Sequence, residues 1–293
     1  MLNKITIIIV TFNSDKNLFK LLKKLPKEMH VIVVENSNRI EFKKKVEKFR
    51  HKTSCKLTGE NLGYGMANNI GIKNAKTDYV MILNPDAFVT KNVILKLFSR
   101  INKESKIAVI SCETIDRNNK LSKNYYFNKF SKLDKNSNKF KKGLIDVDYF
   151  IGSMFLAKKK ILLKAGLFDE NYFLNFEEID LFRKIKSKGF RICIEKGIFF
   201  KHIKGSSAKD SLQYEMDLSS KWHYSWGQIY FFKKNYGIIF ALLFFLKKFC
   251  ENLIRLIYYL ICGKKKNFHQ VYYSILGLCN SIVGTRSFYR PKI

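Results

Sequence analysis

Along the first half of the chain, short apolar runs alternate with amphipathic, charged stretches, and each run stops at a polar turn. Residues 4–12 are rich in β-branched side chains and close at Asn13-Ser14, a strand followed by a helix-capping turn. Leu18, Leu21, Leu22 and Leu25 then recur at helical spacing up to Pro26. Residues 30–34 predict a second strand, closed by Glu35-Asn36-Ser37-Asn38. A charged helix follows through residue 49, and residues 55–58 predict a third strand. A turn-rich loop over 59–65 leads into a helix over 67–74. Residues 78–83 predict a strand, 91–100 an amphipathic helix and 107–112 a further strand. The alternation predicts an α/β fold, a mainly parallel sheet with helices on both faces.

The alternation breaks near Glu113. Residues 113–142 are rich in lysine and asparagine around an aromatic island, Tyr125-Tyr126-Phe127, and predict a long irregular segment of the functional or mobile kind. The pattern resumes over 146–155, an apolar run interrupted by Gly152-Ser153. A helix over 158–165 stops at Gly166, and another opens at Glu177 and ends at Gly189. Residues 191–194 and 198–201 predict two short strands, followed by His202 and a Gly205-Ser206-Ser207 loop. Beyond residue 222 the character changes. The apolar stretches 238–246 and 253–262 are separated by Lys247-Lys248 and followed by Lys264-Lys265-Lys266, and each falls short of the ~20 residues of a spanning helix. The chain thus divides into a domain over 1–221 and a helical region over 222–293. That region suits an interfacial attachment to anionic lipid, the other reading being a helical extension packed on the core or on a second subunit.

Composition adds two constraints. The 293 residues are 46% hydrophobic, enough for a substantial core, and carry a formal net charge of +31. A field of that sign attracts polyanions, either nucleic acid or an anionic membrane. No zinc-finger or aromatic RNA-binding signature accompanies it, and composition alone favours neither partner. The six cysteines show no metal-clip or redox spacing and read as reduced, mostly buried thiols. The opening apolar run, 5–10, is too brief for a signal-peptide core, which predicts a cytoplasmic protein.

The candidate chemistry lies in three acidic points: Glu35, Asp86 and the Glu177/Glu178/Asp180 cluster. Pro85 ends its strand, so Asp86 sits just past a strand's carboxyl end, where open α/β sheets bind ligands. Such a carboxylate suits Mg²⁺ or Mn²⁺, although a turn former or helix cap looks the same in sequence. Glu177 and Glu178 open a helix, whose dipole favours one acid; three crowded together shift each other's pKa and are candidates for a general base. The glycine- and asparagine-rich loop over 61–65 brings backbone close to a ligand, but it lacks both the P-loop lysine and the dinucleotide spacing. His202, after a strand, is as readily a buried histidine as a ligand.

Taken in order, these pieces resemble the family 2 glycosyltransferases of the GT-A fold, especially the rhamnosyltransferase-like members that build bacterial surface polysaccharides such as O-antigen and capsule. Thr11-Phe12-Asn13-Ser14 matches the family's opening T-[YF]-N. Glu35-Asn36-Ser37 stands where the family has D-N-x-S, with Glu for Asp. Asn61-Leu62-Gly63 through Asn68-Asn69-Ile70-Gly71 matches N-x-G…N-N-x-G, and Asn84-Pro85-Asp86 resembles the family's D-x-D equivalent. Glu177-Glu178-Ile179-Asp180-Leu181 through Arg183 resembles its E-[DE]-x-D-L-x-x-R helix. His202 through Ser207 is similar to its H-x-x-G-x-S.

The resemblance covers residues 4–210 and implies an inverting, metal-dependent transferase. It implies that Asp86 holds the divalent ion (Mn²⁺ or Mg²⁺), with His202 contacting the ion or the diphosphate. Glu178 would be the base, with Glu177 and Asp180 beside it in the catalytic set and Asp180 and Arg183 shaping the site. Thr11, Asn13, Glu35, Asn61, Gly63, Asn69 and Asn84 would line the nucleotide. The implied partners are a dTDP- or UDP-linked sugar, a lipid-linked glycan acceptor and the inner face of the cytoplasmic membrane, with no nucleic acid expected. Two rivals remain, a sugar nucleotidyltransferase and a non-enzymatic basic membrane or nucleic-acid adaptor. The first lacks its glycine-rich signature here, and the second leaves the placed carboxylates unexplained.

Overall fold

The structure is a computed structural model that describes residues 1–127, 133, 142–203 and 213–290. The predicted Lys204–Ser207 part of the histidine loop and most of 128–141 lie outside the described residues. The chain divides into two compact units, residues 1–168 with 178–208, and residues 169–177 with 209–293.

The first unit begins β1 (Ile5–Thr11), α1 (Asp15–Lys24), β2 (His30–Glu35), α2 (Ile40–Phe49), β3 (Thr53–Leu57), α3 (Tyr64–Asn74) and β4 (Tyr79–Leu83). It continues through β5 (Ala87–Phe88), α4 (Lys91–Lys103), β6 (Ile107–Ile115), β7 (Leu121–Ser122), β8 (Tyr125–Tyr126), β9 (Gly143–Asp146), β10 (Tyr149–Phe150), β11 (Met154–Lys158) and α5 (Lys159–Lys164). Helix α6 (Glu177–Ser187), apart from its first residue, and β12 (Arg191–His202) complete it. The main sheet runs β3-β2-β1-β4-β11-β6-β12-β5. Strands β1 to β4 pair in parallel, as do β6 and β12, but β11 enters antiparallel between β4 and β6.

Both faces of the sheet are covered, as the alternation predicts. Ile5, Ile7 and Ile9 of β1 point into one core with Leu18 and Leu22 of α1, Val46 of α2 and Leu97 of α4. Ile8, on the opposite face of the same strand, joins Ile72 of α3, Leu162 of α5 and Phe182 of α6. Helix α3 lies very close to β1. A Cβ on Gly71 would stand 2.3 Å from Cγ2 of Ile8, so glycine is required for that approach.

The structure corrects three expectations. The two short strands over 191–194 and 198–201 are one strand, β12, with a register shift between Glu195 and Phe199. The segment after Glu113 contains regular structure: β6 runs on to Ile115, and β8 pairs with β10. Only Cys55, Cys112 and Cys193 are buried, whereas Cys250 and Cys262 are exposed. Burial pushes the Cys55 thiol up to about 12, so it stays a protonated, unreactive core group.

The second unit contains α7 (Gln213–Tyr236), α8 (Ile238–Ile261) and α9 (Lys265–Ile282). Helix α7 runs without a break through residue 221, where the sequence reading divides the chain. The two apolar stretches around Lys247-Lys248 are one continuous helix, α8. Tyr172, Trp222 and Trp226 form this unit's core, and Trp226 donates its indole N–H to the carbonyl of Thr285 at 3.0 Å. Helices α7 and α9 cross at Gly277, where a Cβ would stand 2.3 Å from the carbonyl oxygen of Trp222.

Gly277→Ala should therefore destabilise its unit more than Gly71→Ala destabilises the sheet domain. A backbone carbonyl cannot rotate away, whereas an isoleucine methyl has some freedom. Overpacking of this kind costs about 1–3 kcal/mol or more, read from denaturant unfolding of the two variants.

Candidate active site

Three of the acids predicted from sequence, Glu35, Asp86 and Glu178, end a strand of the sheet, follow one or face its edge. Thr11 and Glu35 are the terminal residues of β1 and β2 and sit side by side in the parallel register. At the end of β4 the chain turns through Asn84-Pro85-Asp86 into β5, and β5 pairs antiparallel with the end of β12, Ala87 opposite His202. That two-residue pairing brings the buried Asp86 and His202 together, Oδ1 to Nε2 at 3.3 Å. The N–H of Ile203 donates to the Asp86 carbonyl at 3.0 Å and locks the crossing.

The same edge extends to the helix acids. Because β11 is antiparallel to β4, its start meets the end of β4, Met154 opposite Leu83, and the N–H of Asn84 donates to the Ser153 carbonyl at 2.9 Å. One residue back, the Gly152 N–H points at Oε1 of Glu178 at 3.5 Å. Burial raises the Glu178 carboxyl above its ordinary value of 4.5, and backbone N–H groups of Glu178 and Gly152 only partly offset this. Its Oε2 is buried without a hydrogen-bond partner. Asp180 is fully buried, with Lys184 Nζ 3.6 Å from its Oδ2 one turn along α6. Glu177, the first residue of α6, is buried, and Arg183 is half-buried on the same helix.

The remaining sequence candidates separate into two groups. Glu35 is fully buried; Oε1 accepts from Ser37 Oγ at 2.7 Å and from Arg39, while Oε2 has no hydrogen-bond partner. Burial raises its carboxyl, opposed by Ser37 and Arg39. Thr11 Oγ1 is also buried without a partner, and Asn13 holds a left-handed turn at φ 54°. Asn61 caps the Gly63 N–H, and Gly63 opens α3 at φ 85°. Asn69 behaves differently. Its amide donates to the Phe168 carbonyl at 2.9 Å and accepts from the Phe168 N–H at 3.0 Å, so both ends are committed to the fold.

Buried polar atoms without partners are uncommon in folded proteins, and each calls for an explanation. Thr11 Oγ1, Glu35 Oε2, Ser153 Oγ and Glu178 Oε2 belong to residues at one edge of one sheet or hydrogen-bonded to it. Unpartnered oxygens concentrated on one edge are the groups a polar ligand would satisfy. For a divalent cation, Asp86 and His202 offer one carboxylate and one imidazole, a fitting donor set when phosphate and water complete the shell. Among the described residues no group of three His, Cys, Asp or Glu converges, so protein alone does not fill such a shell.

Residues 6–166 match the family model described as Glycosyl transferase family 2. The chain belongs to that family. It is 24% identical over 203 residues to a low-salt glycan biosynthesis hexosyltransferase of Haloferax volcanii, covering 66% of this chain and 64% of that protein. It is 26% identical over 210 residues to rhamnosyltransferase WbbL of Escherichia coli, covering 64% of this chain and 78% of the relative. Among solved structures, mannosyltransferase PcManGT from Pyrobaculum calidifontis, solved with GDP-Man and Mn²⁺, superposes with a TM-score of 0.57 at 13% identity. That match covers 95% of this chain and 87% of the other. The fold is that of the GT-A glycosyltransferases.

In this family 2 glycosyltransferase the structure adds residues that sequence reasoning passed over. Asn36 donates its amide to the Gly63 carbonyl at 2.9 Å and accepts from the Leu62 N–H at 3.0 Å, fastening the 61–63 loop to the end of β2. Arg39 bridges Glu35 and Asp15 at 2.9 Å to each. Tyr64 donates its hydroxyl to the Gly152 carbonyl at 2.5 Å, holding the peptide whose neighbour faces Glu178. The Gly152-Ser153 break in an apolar run was the signal available for that last group.

Proposed function

We propose that this glycosyltransferase moves a hexosyl or deoxyhexosyl group from a nucleotide-diphosphate donor to a lipid-linked glycan acceptor, with inversion at the anomeric carbon. The observation that carries the reading is the shared edge: the Asp86–His202 pair and the Glu178 carboxylate, linked through Asn84, Ser153 and Gly152. In this reading Glu178 removes the proton from an acceptor hydroxyl as that oxygen attacks the anomeric carbon. The bond to the diphosphate oxygen breaks on the opposite face, in one displacement. The partly desolvated carboxylate is a stronger base than one in water, which suits the task.

Asp86 and His202 would hold the divalent ion, Mn²⁺ or Mg²⁺, and it would offset the charge developing on the departing diphosphate. Thr11 and Glu35 supply unpartnered oxygens for the nucleoside; a carboxylate oxygen accepts the imino N–H that uracil, thymine and guanine carry, which is compatible with the UDP or dTDP donor that the family resemblance implies. Asp180 and Arg183 shape the acceptor side of α6. The similarity to a rhamnosyltransferase and a glycan biosynthesis hexosyltransferase supports a glycan product without choosing the sugar.

Calorimetric titration of UDP, dTDP and GDP, each with and without Mn²⁺, tests the donor class. One nucleotide should bind at least about tenfold more tightly with the ion present. If the folded protein binds none of the three in either condition, the transferase site is misassigned.

A further inference from the structure

Helix α8 contains 24 residues and buries only Ala241 completely. At ~1.5 Å per residue it is roughly 36 Å long, a large apolar surface to leave in water. Its exposed side is regular. Ile239, Leu243, Leu246, Ile254, Ile257 and Ile261 follow steps of three and four residues, with Cys250 filling the one gap, and form a single stripe. Ile239 is 71% exposed, Ile254 69% and Ile261 80%, so none of the described residues covers the stripe at either end. The helix packs by its other side, where Phe244 stacks on Phe232 of α7 at 4.4 Å.

The four charged residues of α8 are Lys247, Lys248, Glu251 and Arg255, and at ~100° per residue they fall in one sector of about 100° beside the stripe. Lys248 pairs with Glu251 at 2.7 Å, which leaves Lys247 and Arg255 as the net charge of that flank. Lys264, Lys265 and Lys266 follow immediately after the helix, with Lys264 5.7 Å from the centre of the Tyr258 ring. No helix among the described residues is long and apolar enough to cross a membrane. An uninterrupted apolar stripe edged by cations is the pattern of a helix lying in the plane of a bilayer surface.

We propose that α8 is an in-plane anchor that seats this protein on an anionic lipid surface, its stripe in the acyl boundary and its lysine–arginine flank among the headgroups. A second copy of the chain is the competing occupant. Charge decides against it: two chains of net charge +31 repel, and an anionic bilayer attracts the same field. The inference does not depend on the transferase assignment. It gives a lipid-linked acceptor a physical reason to be within reach.

The test uses the full chain with vesicles of phosphatidylcholine alone or with about a third phosphatidylglycerol, followed by flotation. Wild type should float with the anionic vesicles and much less with the neutral ones. The stripe variant Leu243→Glu/Ile257→Glu should lose at least about a hundredfold in partitioning, since it forfeits two buried side chains. The flank variant Lys247→Glu/Arg255→Glu should lose the preference for anionic lipid, by about fivefold or more per charge. All four residues are on the open side of the helix, so the melting temperature and the nucleotide titration should match wild type. The proposal is overturned if wild type stays out of the anionic vesicles or if the stripe variant floats as wild type does. Light scattering that finds a dimer broken by the stripe substitutions, without vesicle binding, would assign the stripe to a second copy. Vesicle binding without nucleotide binding would leave the anchor standing and remove the transferase reading instead.

Discussion

Glu178→Gln should abolish sugar transfer while leaving donor binding intact. A positioned general base contributes roughly 10²–10⁴ in rate, and glutamine keeps the size and one oxygen of the side chain but accepts no proton. The Gly152 N–H that faces Oε1 at 3.5 Å can face the amide oxygen equally well, so the local geometry has no reason to collapse. The pH dependence gives a second readout. The carboxyl is raised above 4.5 by burial, so the acid limb of the kcat/KM profile should lie above that of an ordinary glutamate, activity rising as the group loses its proton. Stability should run the other way. The folded state holds this proton more tightly than the unfolded chain, so the group's contribution is largest at low pH and is lost as pH rises through the folded value. Glu178→Gln removes that loss and should melt no lower than wild type near neutrality. Retention of full transfer by the variant would take Glu178 out of the base role, and Glu177→Gln would be the next substitution to make.

Much of the sheet domain is legible in sequence, because its strands are short apolar runs closed by turn residues, and its helices carry one apolar face. Residues 30–34 and 78–83 correspond to β2 and β4 with a one-residue difference at a single end. What fails is whatever depends on partners distant in the chain. Gly197 and its charged neighbours look like a break between two strands, yet a register shift against β6 lets β12 continue through them. Lys247-Lys248 looks like the end of a helix, but both residues lie off the apolar stripe, so α8 need not stop. At the site, sequence supplies the carboxylates and not their neighbours. Asp86 and His202 are joined by a two-residue pairing of β5 with β12 that no local pattern announces. Asn36 and Asn69 stand in similar asparagine-rich motifs; one fastens a loop at the sheet edge and the other clamps the Phe168 backbone. Propensity cannot tell these two roles apart.

Asp86→Ala should remove the ion-dependent part of nucleotide binding, weakening it by at least about tenfold with Mn²⁺ present and little in its absence. The substitution deletes the carboxylate and spares the backbone bond from the Ile203 N–H to the residue-86 carbonyl, so β5 and β12 keep their crossing. It also takes the carboxylate away from His202, leaving a lone imidazole as the protein's donor there. A single neutral ligand holds Mg²⁺ or Mn²⁺ poorly, because these ions favour anionic oxygen. Asp86→Asn separates charge from shape: it keeps the side chain's size and loses the negative charge, and it should behave as Asp86→Ala does. Unchanged affinity in both variants would end the assignment of Asp86 as the ion ligand. The two substitutions should fail in opposite ways. Loss of the Glu178 charge leaves binding and removes chemistry, whereas loss of the Asp86 charge removes ion-dependent binding before chemistry can begin. A site that held only structural ion pairs would lose stability in both cases and would not divide in this manner.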